Sequence, residues 1–381
     1  MTKNISKVTT VLAILVLSMA GLQAVRAESK VITVPTDYSS IQEAISNAAS
    51  GDTIFVKKGV YVENPVVNKS VSLIGEDMET TVIDVTAGMK VESNNVTVEG
   101  FTIYDGWRGI TLTGNYCSIS GNKITDATNG IVLFGCEGCS ITSNIFESIG
   151  LSSAIQLNYA YGNRVSNNYI DSCVEGIQIW QTSRNNSVTE NTIINCQDHA
   201  IRFQYSNENT VVLNNITRSG CGTSIYGSNG NKITNNNYCS NTFQFSANED
   251  YYLTFGHNRS INTISENYWS DYNGTDGNQD GKGDTPYIID DNNQDDYPLM
   301  TPVNLSTASI GNSPSASLLN PTPSIPELPF WTALPLMFAL MACTALLAKR
   351  KRQKPYPFCK QSQNLSNCLK KEKWIHKLTA T

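Results

Sequence analysis

Between Asp276 and Tyr287, the segment DGNQDGKGDTPY carries oxygen-bearing side chains at alternate positions and turns on glycine. Calcium loops use this pattern, because alternate side chains converge on one ion and glycine permits the sharp bend. The twelfth position, where a bidentate Glu is usual, is Tyr287, so Asp290 or Asp291 would have to complete the coordination. We predict calcium here, and the alternative is an acidic turn in water. The predicted metal ligands are Asp276, Asn278, Asp280 and Asp284.

A second set of residues, in and before the segment DHAIRFQYS, could supply acid, base or charge-neutralising chemistry. Glycoside hydrolysis requires two carboxyl groups about the scissile bond, as general acid and base. This set lacks such clustered acidic pairs, so we favour its interpretation as polar residues on an exposed strand face. The catalytic candidates are Asp198, His199, Arg202, Asp171 and Glu175.

Aromatic residues recur near this segment at regular intervals. A stripe of flat aromatic faces could stack on sugar rings, whereas the alternative is that half of these residues point into the core. The carbohydrate-binding candidates are Trp107, Tyr159, Trp180 and Tyr205.

Internal repeats indicate the elements that would position these groups. One series of segments aligns on an asparagine at intervals of 21 to 24 residues, and a second series aligns on an isoleucine. The two series have the same period. Each repeat unit contains short alternating apolar segments separated by Gly, Asn and Ser. The asparagine series is Asn122, Asn144, Asn168, Asn191, Asn215 and Asn236. The isoleucine series is Ile110, Ile131, Ile155, Ile177, Ile201 and Ile225.

A period of strand and turn without a helical pattern predicts an all-β, single-stranded right-handed parallel β-helix. Leucine-rich repeats share the period but require Leu in fixed positions that are missing here. Stacked coils lie about 4.8 Å apart, so each asparagine of the series is predicted to hydrogen-bond to the next. The cysteines are predicted to be small buried residues of the stack, with disulfides as the alternative, because stacked side chains point in parallel. A metal site at Cys136 and Cys139 is disfavoured, since a lone CxxC is weak evidence for zinc.

Before the repeats, residues 34–76 predict a short N-terminal capping helix. Ser39 or Ser40 is the expected N-cap, and Gly51 is the expected end. The helix would close the first coil, whose bare end would otherwise expose unpaired strand edges. Its apolar face consists of Ile41, Ala44, Ile45 and Ala48.

Both termini indicate export and anchoring. Residues 1–27 read as a signal peptide, and residues 330–348 form an uncharged apolar segment followed at once by four cationic residues. We therefore predict one C-terminal transmembrane helix with a basic cytoplasmic tail at 349–381. A Ser/Pro/Thr-rich linker at 301–329 would join it to the ectodomain at 28–300, with repeats at about 94–250 and a closing motif at 266–300.

The charge of the exported part excludes one class of partner. Residues 28–348 contain 14 Lys and Arg against 32 Asp and Glu, a net charge of −18. Such a surface repels nucleic acid and other anionic polymers. Sequons typical of exported proteins occur at Asn68, Asn95, Asn185, Asn258, Asn273 and Asn304. Another at Asn215 is expected to remain unmodified, because that asparagine is assigned to the buried series.

Several stretches resemble known families. VPTDYSSIQEAISNAASGDTIFVKKGVY, from Val34, resembles the opening of the pectin lyase-like superfamily. NYWSDYNGTDGNQDGKGDTPYIIDDNNQDDYPLM, from Asn267, resembles NosD-type periplasmic copper-binding β-helix proteins and archaeal surface proteins that share their domain. PSIPELPFWTALPLMFALMACTALLAKRKR is similar to archaeal C-terminal sorting segments of the PEF type, although the chain continues past the basic cluster.

These resemblances imply the fold rather than an activity, since the fold hosts lyases, hydrolases, adhesins and scaffolds. We favour a non-enzymatic, membrane-anchored protein of the cell surface, in envelope structure, adhesion or carbohydrate binding. One alternative is a polysaccharide lyase or hydrolase. The other, implied by the NosD resemblance, is copper handling, which is disfavoured because the exported part offers only His199 and His257 as imidazole ligands.

Overall fold

The computed structural model describes residues 29–247 and 261–305, and all of them lie in the first of two compact units, Met1–Leu318. In the described residues the chain winds through short strands that pair with the strands of the preceding and following coils. The pairs are parallel, apart from one antiparallel pair at the C-terminal end. The predicted right-handed parallel β-helix is confirmed, with three sheets running along its axis.

Each sheet takes about one strand per coil. The 13-stranded sheet consists of β1 (Val31–Val34), β2 (Thr53–Val56), β5 (Ser72–Gly75), β8 (Thr97–Glu99), β11 (Ser118–Ser120), β14 (Ser140–Thr142), β17 (Arg164–Ser166), β20 (Ser187–Thr189), β23 (Thr210–Val212), β26 (Lys232–Thr234), β29 (Thr263–Ser265), β31 (Tyr287–Ile288) and β32 (Gln294–Asp295). The ten-stranded sheet consists of β3 (Gly59–Val62), β6 (Thr81–Asp84), β9 (Thr102–Tyr104), β12 (Lys123–Thr125), β15 (Ile145–Glu147), β18 (Tyr169–Asp171), β21 (Thr192–Ile194), β24 (Asn215–Thr217), β27 (Asn237–Cys239) and β30 (Tyr268–Trp269). The nine-stranded sheet consists of β4 (Val66–Val67), β7 (Met89–Val91), β10 (Arg108–Leu112), β13 (Asn129–Phe134), β16 (Ser153–Asn158), β19 (Glu175–Trp180), β22 (His199–Gln204), β25 (Cys221–Tyr226) and β28 (Phe243–Ser246).

The core runs along the inside of the helix as stacked apolar side chains. Ile110, Ile131, Ile155, Ile177 and Ile201 pair in register from coil to coil and are fully buried. The sixth member differs from the prediction. Thr223 pairs with Ile201, whereas Ile225 pairs with Phe203 two residues further along the strand. The Thr223 hydroxyl lies 2.8 Å from the Tyr238 hydroxyl, which satisfies it inside the core.

The predicted asparagine ladder is present, with one position corrected. Each rung's side-chain oxygen accepts hydrogen bonds from the backbone and side-chain N–H groups of the rung before it, as from Asn168 to Asn191, both at 3.0 Å. The fifth rung is the buried Asn214, whereas Asn215 is half-buried on β24. Both residues of the Asn-Asn pair fit the sequence spacing, and the register of the stack selects the first. The ladder is Asn122, Asn144, Asn168, Asn191, Asn214, Asn236 and Asn267.

A carboxylate ends this ladder. Asp295 is fully buried and accepts hydrogen bonds from the backbone and side-chain N–H groups of Asn267 and from the Trp269 indole, at 2.9 to 3.2 Å. A carboxylate suits the last rung because it only accepts hydrogen bonds.

A second ladder starts from cysteines. The Cys117 N–H donates to Cys139 Sγ, and the Cys139 N–H donates to Asn163, the first of a further series of stacked asparagines. All seven cysteines of the described residues are free thiols, and six are buried. The predicted burial therefore holds for six of the seven, and the absence of disulfides stays a prediction.

Helix α1 spans Ile41–Asn47, with Ser40 as its N-cap and Ile41, Ala44 and Ile45 buried. It ends at Asn47, four residues before the predicted Gly51, which occupies the following turn at φ +96°. The Glu63 carboxylate of the next coil accepts from the backbone N–H groups of Ile41 and Gln42, both at 2.9 Å. The helix therefore contacts the first coils closely, and its capping role is a testable prediction.

Deleting residues 31–50, which removes α1 and β1, is expected to cause aggregation, because β2 would become an unpaired strand edge. The oligomeric state of the purified protein, measured by light scattering after size exclusion, checks this. Deletion of residues 306–325, an equal length of the predicted linker, is the control and should leave the oligomeric state unchanged. A soluble monomer after deletion of residues 31–50 would refute the cap.

The predicted signal peptide, most of the linker, the membrane segment and the tail lie outside the described residues. Within residues 29–247 and 261–305, no helix is long and apolar enough to cross a membrane.

Candidate functional site

The residue that follows each aligned isoleucine in the nine-stranded sheet points outward, because side chains alternate along a strand. These positions are Val132, Gln156, Gln178 and Arg202, which pair in register across four coils. We call the outward-facing side chains of β13, β16, β19, β22 and β25 the polar face. It carries three of the five catalytic candidates and one of the four aromatic candidates, Trp180. Glu175 stands two residues before an inward isoleucine, so strict alternation would place it inside, but its 2.7 Å contact with the outward Arg202 shows that the alternation is broken there.

The three candidates that come together are Glu175, His199 and Arg202. Arg202 Nη1 lies 2.7 Å from Glu175 Oε1, and His199 Nδ1 lies 3.7 Å from the same oxygen. The Ser153 hydroxyl donates to Glu175 Oε2 at 3.0 Å. Burial would raise the pKa of Glu175, but the imidazole, the guanidinium and the serine hydroxyl outweigh it and hold the pKa below its ordinary value. Glu175 is therefore an anion at neutral pH.

Amide side chains occupy the neighbouring positions. Gln156 Nε2 donates to Gln178 Oε1, so the two amides form a ladder on the outside of the sheet. Asn158 stands in register between Phe134 and Trp180 and is 5% exposed. Its Oδ1 accepts no hydrogen bond from any described residue. A buried acceptor without a donor costs about 1–3 kcal/mol, which a water molecule or a ligand hydroxyl that reached this oxygen would offset.

Aromatic rings border the polar face where its strands end. Phe134 packs edge-to-face on Tyr159, with ring centroids 5.6 Å apart, and Tyr205 packs likewise on Tyr226 at 5.5 Å. Trp180 ends the strand of the coil between these two pairs. The aromatic border therefore spans five successive coils.

Two catalytic candidates and one aromatic candidate lie elsewhere. Asp171 is on β18 of the ten-stranded sheet, where it hydrogen-bonds to Asn195 rather than to the polar face. Asp198 is exposed in the turn before β22. Trp107 is 61% exposed in the turn before β10, at the opposite edge of the nine-stranded sheet from Tyr159 and Tyr205.

The sequence reasoning missed the amides Gln156, Gln178 and Asn158 and the aromatic residues Phe134 and Tyr226. The signal that could have found them is the isoleucine series itself. The residues one and three places after each aligned isoleucine must face outward on a strand, and reading those two positions coil by coil gives both the amides and Phe134.

The predicted calcium ligands form a compact turn stabilised by its own backbone. Asp276 accepts from the N–H groups of Asp280 and Gly281 at 3.1 and 2.9 Å, and Asp284 accepts from Gly277 N–H at 2.7 Å. In the described part of the chain, no three or more His, Cys, Asp or Glu side chains are grouped so as to hold a metal ion. Calcium at this loop stays a prediction.

Replacing Asp280 with alanine is expected to lower the melting temperature only when calcium is present, since a ligand that binds the folded state stabilises it by mass action. Thermal unfolding of both proteins with calcium, with magnesium and with chelator measures this. Magnesium serves as the control. It demands near-ideal octahedral geometry and loses its water ligands reluctantly, so it binds such loops poorly. If the melting temperature of the wild type is the same with and without calcium, the loop is not a calcium site.

The sequons that the structure describes are accessible. Asn68, Asn95, Asn185, Asn273 and Asn304 are exposed, whereas Asn258 lies outside the described residues. Asn215, which was expected to be buried, is half-exposed on β24 and is open to the same modification.

Three comparisons place the chain among known proteins. The sequence model of the family described as periplasmic copper-binding protein (NosD) matches residues 45–274, more than half of the chain. A cell surface glycoprotein of Methanothermus fervidus is 37% identical over 103 residues, which are 26% of this chain and 17% of that protein. The chain thus spans about a sixth of the length of this relative.

Solved structures resemble this chain at low sequence identity. The catalytic unit of a GH87 alpha-1,3-glucanase from Streptomyces thermodiastaticus has a TM-score of 0.50 at 16% identity, covering 64% of this chain and 53% of that one. A Family 28 exopolygalacturonase of Yersinia enterocolitica has a TM-score of 0.48 at 10% identity, covering 65% and 67%. At these identities the likeness extends to the β-helix alone.

The family description names copper, which prefers thiolate, thioether and imidazole ligands. The buried thiols bond to core backbone, as Cys136 does to the Leu112 carbonyl at 2.9 Å, and His199 stands beside a carboxylate with no second imidazole among the described residues. His257 lies outside the residues that the structure describes. The described side chains therefore do not make up a copper site.

Proposed function

The chain belongs to the NosD family of periplasmic copper-binding proteins, and we propose that it is a cell-surface β-helix protein that binds carbohydrate along its polar face without cleaving it. The shared fold fixes a rigid stack of parallel strands. What the face binds must be argued from its own side chains.

The observation that carries the proposal is the combination of an amide ladder, an unsatisfied buried acceptor and an aromatic border on one outward surface. Sugars present hydroxyl groups at their edges and apolar C–H surfaces on their faces. Amides of Gln156, Gln178 and Asn158 match the hydroxyls as both donors and acceptors. Rings such as Trp180 match the C–H surfaces. Because the same positions recur in each coil, the surface suits a polymer better than a single sugar.

Catalysis finds less support in this surface. Glycoside hydrolysis needs a protonated carboxyl group and a second carboxylate. Glu175 is the sole carboxylate in the sequences of the five strands of the polar face, and its lowered pKa keeps it ionised. A group fixed as an anion and paired with arginine is a poor general acid.

A place on the cell surface is supported by the glycoprotein relative and by the exposed sequons. We propose that the apolar segment at 330–348 anchors the chain in the membrane and that the calcium loop stabilises the C-terminal closure. Polysaccharide of the cell envelope would then be the partner that the ectodomain meets.

The test is a binding panel. The full chain, purified in mild detergent, is titrated with oligosaccharides of neutral and uronic sugars, while reducing-end and unsaturated products are followed in the same samples. We expect saturable binding without product. Binding of none of the sugars would overturn the proposal, and release of product would replace it with the lyase or hydrolase alternative.

A further inference from the structure

The fixed charges of the polar face cancel locally. Its five strands contain one acid and one permanent cation, Glu175 and Arg202, and the two form the 2.7 Å ion pair. The other cationic residues of the described nine-stranded sheet are Lys90 and Arg108, which belong to the coils before β13. A polymer lying on the amides and beside Trp180 therefore meets no free permanent charge from these strands.

Arg202 is the residue that would otherwise receive a sugar carboxylate, because a guanidinium binds carboxylates with two parallel hydrogen bonds. Glu175 occupies Nη1 of that guanidinium. Glu175 is itself 7% exposed and held by the Ser153 hydroxyl at 3.0 Å, so it cannot turn aside without losing both bonds. The pair thus neutralises the charge of Arg202 and occupies one of its nitrogens, which weakens its attraction for an incoming anion.

Asn158 Oδ1 lacks a donor among the described residues, although its side chain is nine-tenths buried. Hydroxyl groups of neutral and uronic sugars alike can donate to this oxygen, so the discrimination rests on the neutralised Arg202. Continuing from the proposed function, on which this inference rests, we propose that the polar face selects neutral glycans, and that the Glu175–Arg202 pair is the specificity determinant that excludes uronate polymers.

The test compares two classes of ligand on four proteins. Neutral gluco- and manno-oligosaccharides and oligogalacturonates of equal length are titrated against the full chain in chelator, so that calcium bridging does not contribute. The wild type is expected to bind the neutral class at least about 10-fold more tightly.

Glu175→Gln frees Arg202 and is expected to raise the affinity for oligogalacturonate by about 10-fold. Glu147→Gln is the matched control, since it removes the same charge from an ion pair with Lys123 on the ten-stranded sheet, and it should leave both affinities unchanged. The double variant Glu175→Gln with Arg202→Gln should return to the wild-type preference for neutral sugars.

Tighter binding of oligogalacturonate by the wild type, or equal gains in Glu175→Gln and Glu147→Gln, would overturn the specificity while leaving carbohydrate binding intact. Absence of binding to either class would overturn the proposed function itself. If Glu175→Gln fails to fold, Glu175→Asp decides the question: its shorter carboxylate loosens the contact with Arg202 and should raise the affinity for oligogalacturonate, and an unchanged affinity would overturn the specificity.

Discussion

Replacing Asn191 with alanine is expected to lower the free energy of unfolding by about 3–5 kcal/mol. The Asn191 Oδ1 accepts from both the backbone and the side-chain N–H of Asn168, and its Nδ2 donates to the Val165 carbonyl and to Asn214. All these groups lie inside the stack, where water cannot replace the lost partner. Alanine therefore leaves several buried groups unsatisfied at once.

Urea unfolding of the full chain in mild detergent, followed by circular dichroism, measures this loss. Asn207→Ala is the matched control. Asn207 is exposed, and its side chain accepts one hydrogen bond from the Asn229 N–H, at 2.7 Å. Its replacement should cost less than about 1 kcal/mol, because water can take over the bond. Equal costs at the two positions would mean that the ladder contributes no special stability.

Replacing Trp180 with alanine is expected to weaken binding of a neutral oligosaccharide by about 30-fold, equivalent to about 2 kcal/mol. Trp180 pairs in register with Asn158 and is the last residue of β19, the central strand of the five that the aromatic border spans. Loss of its ring removes the flat surface on which a sugar would stack. Trp180→Phe should retain most of the affinity, because phenylalanine keeps an aromatic face.

Isothermal titration of the full chain gives the affinities. Trp107→Ala is the control, because Trp107 is more exposed but lies at the other edge of the nine-stranded sheet. We expect less than about a twofold change for it. If Trp107→Ala weakens binding as much as Trp180→Ala does, the ligand does not bind on the polar face.

The sequence was sufficient for the fold because repetition is local. A period near 22 residues and the regular asparagines predict stacked coils without knowledge of any contact. The error at Asn215 shows the limit of this reasoning. Two adjacent asparagines both fit the spacing, and only the pairing of β21 with β24 shows that Asn214 is the inward residue.

The candidate site was only partly predictable, for a similar reason. Arg202 and Glu175 are 27 residues apart, and their ion pair depends on the register of β19 and β22. The sequence also could not predict that Asp295 ends the asparagine ladder, because nothing in the sequence distinguishes it from the neighbouring acidic residues. Its role follows from where the stack ends, which the spacing of the repeats does not reveal.

The most direct test of carbohydrate binding is a crystal structure of the chain with the oligosaccharide that binds best in the panel. We expect sugar rings beside Trp180, with hydroxyl groups in hydrogen-bond contact with Asn158 Oδ1 or the Gln178 amide. A sugar bound on another sheet, with the polar face free of ligand, would contradict it.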